Sequence, residues 1–249
     1  MSSNQTRRPA MKRVIVTRAA GQASSLASRL EAAGFTPLVI PVIGPAAPLD
    51  DGAALRAAVE SLNDRYDWVA ITSPNGAAAF ASVVEPGKVT ALVAAVGPGT
   101  ADALVGLGCM VSLVPNRSIA EGLVEALATV EPARILLPQA ADARPVLADS
   151  LLALGWQVTV VQSYRTVHLV PPAPLVAEAV AADAIVFTSS STVDAWVEAI
   201  GVSATPRVVV SIGPATSATV AGHGMTVASE ADPHTLDGLI EAVKSALRR

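Results

Sequence analysis

Cysteine is almost missing from this chain of 249 residues. Cys109 stands alone, so no intrachain disulfide can form and thiolate metal clusters are excluded. Histidine is scarce too: His168, His223 and His234 lie far apart, and no zinc or iron ligand set is visible among them. Aromatic residues make up 3% and the net charge is −4. Both speak against a nucleic-acid partner, which calls for a basic face and stacking rings. Long apolar runs are missing as well. The hydrophobic fraction reaches 51%, but as Ala, Val and Leu in short stretches. No window offers the roughly 18 consecutive apolar residues of a membrane span. Met1 to Arg13 is polar and basic, with no apolar stretch behind it to make a signal peptide. It reads as a disordered tail over 1–11, and the protein reads as soluble and cytoplasmic. Little room is left for cofactor chemistry.

What is present is alternation. Short β-rich runs are expected as strands at Arg13–Thr17, Pro37–Ile43, Trp68–Thr72, Leu92–Val96, Met110–Val114, Arg134–Leu137, Gln157–Gln162, Ala184–Thr188, Val208–Ile212 and Met225–Ala228. Amphipathic stretches such as Gln22–Ala33, Ala53–Leu62, Ile119–Thr129 and Thr235–Leu247 read as helices between them. Strands separated by helices imply α/β architecture with parallel sheets, because a parallel connection needs a crossover. Ten strands suit two five-stranded sheets better than one.

The chain also repeats itself. A shift of 116 carries Thr72-Ser73 onto Thr188-Ser189, Phe80 onto Trp196, and Gly97, Pro98 and Thr100 onto Gly213, Pro214 and Thr216. The same shift carries Gly122-Leu123 onto Gly238-Leu239. A shift of 121 brings Val14, Leu26, Leu30, Gly34 and Phe35 onto Ile135, Leu147, Leu151, Gly155 and Trp156. The chain is a duplicated α/β unit. Two proline-rich links, Pro41 through Pro48 and Pro171-Pro172-Ala173-Pro174, suit crossings between domains. The expected division is a discontinuous domain of 12–44 plus 168–249 and a second domain of 47–165, with a cleft beside the crossings.

Ligands of open parallel sheets bind beyond the carboxyl ends of the strands. Four small polar loops sit there: Thr72-Ser73-Pro74-Asn75, Gly97-Pro98-Gly99-Thr100, Thr188-Ser189-Ser190-Ser191 and Gly213-Pro214-Ala215-Thr216. Each precedes a helix, whose free N-terminal amides attract anions. A dinucleotide reading of "VGPGTADAL" fails: Asp102 stands at the third glycine of G-x-G-x-x-G, and Ala215 at the second in the repeat. No Ser-His-Asp arrangement, P-loop lysine or paired carboxylates appear. Arg18, Arg117 and Arg165 lie near strand ends. Tyr66 reads as a packing residue, whereas Tyr164 ends the strand "WQVTVVQSY" at the second crossing. A phenol there can donate a proton or hydrogen bond.

Taken in order, "VIVTRAAGQASSLASRLEAAGF", "WVAITSPNGAAAF", "VAAVGPGTADAL", "LLALGWQVTVVQSYRTV", "AIVFTSSSTVDAW" and "SIGPATSATVAGHG" resemble the uroporphyrinogen-III synthase family from Val14 to about Val243. The resemblance implies two flavodoxin-like parallel-sheet domains joined by a two-stranded linker. It implies a cytoplasmic, monomeric lyase of haem biosynthesis that needs no metal or cofactor. Its substrate would be hydroxymethylbilane, a linear tetrapyrrole with eight carboxylates, with possible transient contact with the upstream deaminase. Such an enzyme closes the substrate to uroporphyrinogen III. Ring A loses its hydroxyl, ring D attacks through its substituted carbon, and a spiro intermediate recloses with ring D inverted.

By this resemblance Tyr164 assists departure of the hydroxyl. Thr100 and Thr216 are cleft threonines, and Ser73 and Ser189 strand-end serines. Arg18, Pro74, Asn75, Gly97, Ser190 and Gly213 complete the expected substrate-binding set. Ser190 and Gln139 depart from the family pattern, which commonly has proline at the first position and a basic residue or glycine at the second. The alternatives are a non-catalytic two-lobed binding module for an anionic metabolite, which needs no tyrosine at the crossing, and an NAD-dependent oxidoreductase, which Asp102 and Ala215 disfavour.

Overall fold

The computed structural model describes residues 11–248, so of the tail expected over 1–11 only Met11 falls within them. The chain divides into two units. The first combines the segment up to Gly44 with that from Val167 onward, and the second is Pro45–Thr166. The first unit opens with β1 (Arg13–Val16), α1 (Ala20–Ala32) and β2 (Thr36–Val39). Then follow β3 (Ile43–Ala46), α2 (Ala53–Glu60), α3 (Leu62–Arg65), β4 (Trp68–Ile71), α4 (Pro74–Ala81), β5 (Leu92–Ala95) and α5 (Pro98–Gly106). The second unit continues through α6 (Ala120–Leu127), β6 (Arg134–Ala140), α7 (Val146–Ala153) and β7 (Gln157–His168). The first resumes with α8 (Ala173–Val180), β8 (Ala184–Phe187), α9 (Ser190–Ala199), β9 (Val208–Ser211), α10 (Pro214–Gly222), β10 (Val227–Glu230) and α11 (Leu236–Leu247).

Both sheets have five strands, ordered β10-β9-β8-β1-β2 and β3-β7-β6-β4-β5. Strands β1 with β2 and β8, β8 with β9, and β9 with β10 pair in parallel, as do β4 with β5 and β6, and β6 with β7. The first order is the doubly wound, flavodoxin-like one. The two sequence offsets now have one explanation. Strands β8 and β9 correspond to β4 and β5, and β1 and β2 correspond to β6 and β7. The second unit is therefore the first begun at a different strand, a circular permutation.

Two expected strands differ. Pro41 offers no amide N–H, so the run expected over Pro37–Ile43 is split. Strand β2 stays beside β1, while β3 lies beside β7 in the other sheet. Met110–Val114, the counterpart of β10, makes only one bridge, Ala94 with Leu113. Met110 and Val114 are exposed, and Pro115 removes the next donor, so no further rung forms.

Strands buried on both faces read as continuous apolar runs, and alternate residues enter different cores. Val14 and Val16 pack with Leu26, Leu30, Leu239 and Val243 of α1 and α11, whereas Ile15 packs with Val193, Trp196 and Val220 of α9 and α10. In the second unit Val69 and Ile71 join Phe80 and Leu104, while Trp68 and Ala70 join Leu123, Leu147 and Trp156. Gly34 and Gly155, paired by the repeat, end α1 and α7 at φ +85° and +88°, a region that L side chains rarely adopt.

A further echo lies in the strand starts. Asp67 accepts from the Arg134 backbone N–H (3.1 Å), Nε (2.9 Å) and Nη2 (2.8 Å). Asp183 accepts from the Arg13 N–H (2.8 Å) and Lys12 Nζ (2.8 Å). The Arg134 side-chain bonds, then its N–H, pull the Asp67 pKa down to about 2. A depressed folded-state pKa means stabilisation that is complete above the unfolded value, roughly 3.9, and lost as pH falls toward 2. Asp67→Asn is expected to flatten the acid limb of the urea midpoint between about pH 4 and 2. An unchanged slope there denies the pairing its role.

Candidate functional site

Small polar residues at the carboxyl ends of β4 and β8 become helix caps. Ser73 is the N-cap of α4, its Oγ accepting from the Gly76 N–H at 3.0 Å. Ser189 does the same for α9, accepting from Thr192 N–H at 3.3 Å. Gly97 and Gly213 precede Pro98 and Pro214, which open α5 and α10, and neither helix has a side-chain cap. Their first-turn amides lack a side-chain acceptor, as an anion site requires. Thr100 and Thr216 do not begin these helices. Both lie two residues inside and are buried.

Tyr164 is set by an irregularity. Strand β7 pairs with β6 in register to Gln139 with Gln162, and then slips so that Ala140 faces Tyr164. The extra residue, Ser163, is buried and donates to the Gln139 carbonyl at 3.2 Å. A bulge of this kind re-aims the next side chain. The Tyr164 hydroxyl lies 3.1 Å from Ser73 Oγ, across 91 residues of sequence. The strand runs on to His168 rather than ending at Tyr164 as expected. Beside this pair is a pocket of about 310 Å³ that takes in Tyr164, Asn75, Ser163, Arg56 and the Pro45–Pro48 segment.

In the first unit, Ser190 donates to the Ala215 carbonyl at 3.2 Å and receives the Thr219 hydroxyl at 2.8 Å. It thus ties the loop after β8 to the loop after β9, work that a proline there cannot do. The half-buried Arg18 donates to Gln22 Oε1 at 3.2 Å, and desolvation lowers its pKa. Arg117 pairs with Glu125, and Arg165 holds the Ala47 carbonyl at 3.0 Å. Tyr66 is buried in the core, as expected. Burial pushes the Cys109 thiol up, away from nucleophilic use.

Two residues escaped sequence reasoning. Ser118 and His234 occupy equivalent positions against the two glycine loops. A β-carbon on Gly97 would meet Ser118 Oγ at 2.5 Å, and one on Gly213 would meet the His234 ring at 3.3 Å. Serine and histidine share no type, so the repeat could not flag them. Among the described residues no cluster of three or more His, Cys, Asp or Glu is placed to hold a metal ion, and no helix is long and apolar enough to cross a membrane.

The chain is similar to several known proteins. The family model described as uroporphyrinogen-III synthase HemD matches residues 24–241. A uroporphyrinogen-III synthase from Synechococcus elongatus is 33% identical, with 96% of each chain covered. The chloroplastic uroporphyrinogen-III synthase of Oryza sativa subsp. japonica is 27% identical over 94% of this chain and 80% of its own. Among solved structures, a uroporphyrinogen-III synthetase from Helicobacter pylori has a TM-score of 0.59 at 15% identity, covering 94% of this chain and 99% of that one. A mutant uroporphyrinogen III synthase from Thermus thermophilus has a TM-score of 0.51 at 20% identity, with 95% and 99% covered. These two support the fold alone. By the extent of the family match and the Synechococcus relative, the chain belongs to the uroporphyrinogen-III synthase family.

Proposed function

We propose that the chain is a cyclising lyase of haem biosynthesis that closes hydroxymethylbilane to uroporphyrinogen III, inverting ring D with loss of water. Family membership supports the reaction, and the single observation that carries the site is the Tyr164 hydroxyl 3.1 Å from Ser73 Oγ beside a pocket. Ser73 Oγ already accepts from the Gly76 N–H. The serine is thereby fixed at the start of α4, where it holds the phenol in one direction. On this reading Tyr164 donates its proton to the departing hydroxyl of ring A, which leaves as water.

The rest of the task is positional, since unguided closure gives the type I isomer and ring D must be held for attack through its substituted carbon. The substrate's carboxylates are taken by the loops at Ser73, Pro74, Asn75, Gly97 and Thr100 in one unit and at Ser189, Ser190, Gly213 and Thr216 in the other, with Arg18 adding positive charge. A chain of net charge −4 binds so anionic a substrate because local amide dipoles at helix N-termini outweigh the net charge. The working form is a cytoplasmic monomer able to meet the upstream deaminase transiently.

Freshly made hydroxymethylbilane, followed by oxidation and resolution of the porphyrin isomers, tests the reaction. Type III product is expected, and type I alone, as in a protein-free control, would sink the enzyme reading in favour of an anion-binding module. Tyr164→Phe is expected to slow type III formation on the order of 10²-fold while leaving the melting curve in place. Turnover equal to the parent removes Tyr164 from the chemistry.

A further inference from the structure

Successive side chains of a regular strand point to opposite faces of its sheet. Along β7, Val160 and Gln162 are exposed, while Val161 between them is buried in the core that Phe80 of α4 helps to form. The alternation then breaks. Ser163 and Tyr164, neighbours in sequence, both line the pocket beside Asn75, Ala78 and Ala79 of α4. Gln139 faces Gln162 and the next residue, Ala140, faces Tyr164, so Ser163 is one residue more than β6 can match. Beyond the slip the strands rejoin, the Ala141 N–H donating to the Tyr164 carbonyl at 2.9 Å.

The extra residue decides which face the phenol takes. In a strand without it, Tyr164 would share the face of Gln162 and turn away from α4. In the order β3-β7-β6-β4-β5, β6 lies between β7 and β4, so Tyr164 reaches over β6 to meet Ser73 at the start of α4. What fastens the slip is Ser163 itself. It is 4% exposed, and its hydroxyl donates to the carbonyl of Gln139, the last residue of β6 paired before the slip, at 3.2 Å. That bond ties the extra residue to the last regular rung. At the other end the phenol meets Ser73 Oγ at 3.1 Å, and the Gly76 N–H holds that oxygen in place.

We propose that Ser163 is a positioning residue of the reaction, its hydroxyl fixing the bulge that turns the Tyr164 phenol over β6 toward Ser73. The inference rests on the reading above that Tyr164 is the proton donor. Without the Ser163 hydroxyl the strand keeps its place in the sheet but loses the bond that marks which residue is the extra one. The phenol then spends part of its time away from Ser73, and proton transfer slows in proportion.

The test uses the whole chain, with hydroxymethylbilane for kinetics and ring-labelled tyrosine for NMR. Ser163→Ala is expected to lower kcat for type III formation about five- to tenfold, the reach of one hydrogen bond, with KM within about twofold. Ser163→Thr, which keeps the hydroxyl, is expected to recover most of kcat, whereas Ser163→Val, of the same shape as threonine, is not. In a Tyr164→Phe background, Ser163→Ala is expected to cost nothing more, because its effect runs through the phenol. The chain has two tyrosines, and the buried Tyr66 serves as the internal reference. Ser163→Ala is expected to shift or broaden the Tyr164 ring signals and to leave those of Tyr66 in place. An equal loss of kcat with and without the phenol overturns the proposal, as does an unmoved Tyr164 ring. Should Ser163→Ala not fold, equal kcat in the threonine and valine variants overturns it instead. If Tyr164→Phe turns over like the parent, the proton-donor reading fails, and the ring signals alone decide whether Ser163 places the phenol.

Discussion

Gly238→Ala is expected to destabilise the first unit by about 3 kcal/mol, the upper end of the usual cost of overpacking. A β-carbon at this position would lie 2.0 Å from the Pro233 carbonyl oxygen and 3.0 Å from its carbon. Both are backbone atoms, so no side-chain rotation relieves the clash. Either the first turn of α11 moves or the segment before it does, and that turn carries the Thr235 cap and the buried Leu239. Thermal unfolding checks this, with a midpoint about 10 °C below the parent expected. Gly122→Ala strikes the Arg117 carbonyl at 2.2 Å and is expected to weaken the second unit similarly. The control is Gly222→Ala at the end of α10, which meets nothing within 4 Å and is expected to be neutral or to stabilise by up to about 1 kcal/mol. If all three variants melt together, close approach is not why these glycines are present.

Trp196→Ala carries the second large effect, an expected loss of about 3–5 kcal/mol. The indole is fully buried under the first sheet, meets the Phe187 ring edge-on at a centroid distance of 6.4 Å, and donates from Nε1 to Thr205 Oγ1 at 2.8 Å. Truncation leaves a cavity among Ile15, Val193 and Val220, which rigid neighbours refill only in part. Trp196→Phe is expected to cost far less, about 1–2 kcal/mol. Phe80 fills the same place in the second unit, and Thr205 keeps a bond to the Gly201 carbonyl at 3.3 Å. Denaturant midpoints separate the two, and equal losses for Phe and Ala would place the energy in the hydrogen bond rather than in packing.

How far the sequence revealed this arrangement depended on the range of each signal. The α/β class, the duplication and two five-stranded sheets built mainly of parallel pairs were legible, because apolar runs and echoed residues are local patterns. The placing of Ser73 and Ser189 between a strand end and a helix start was legible for the same reason. The division of the Pro37–Ile43 run between two sheets was not, since a strand's partner is a long-range choice and only Pro41 hinted at the break. Met110–Val114 looked like a strand by composition, but an exposed edge gives its residues too little to bury. The contact of Tyr164 with Ser73 depends on a one-residue slip at Ser163, which leaves no mark in the pattern of apolar positions. The locks of Asp67 on Arg134 and of Asp183 on Arg13 could have been found. The aspartates differ by 116 and the arginines by 121, but charged residues outside apolar runs carry little weight in a search for periodicity.

Strands β3 and β7 are neighbours in one sheet, although one opens the Pro45–Thr166 unit and the other closes it. Just outside them, the Leu169 N–H donates to the Val42 carbonyl at 2.8 Å. The two ends of the inserted unit are thus stitched together, and so are the cut ends of its host. A gene fragment spanning 45–166 would encode a module whose ends meet on one sheet edge. The remainder could be rejoined through a short linker from Val42 to Leu169 without stretching either strand. The chain is organised as one copy of a fold spliced into a surface connection of the other, at a point where the insertion asks the host only to hold two neighbouring residues together.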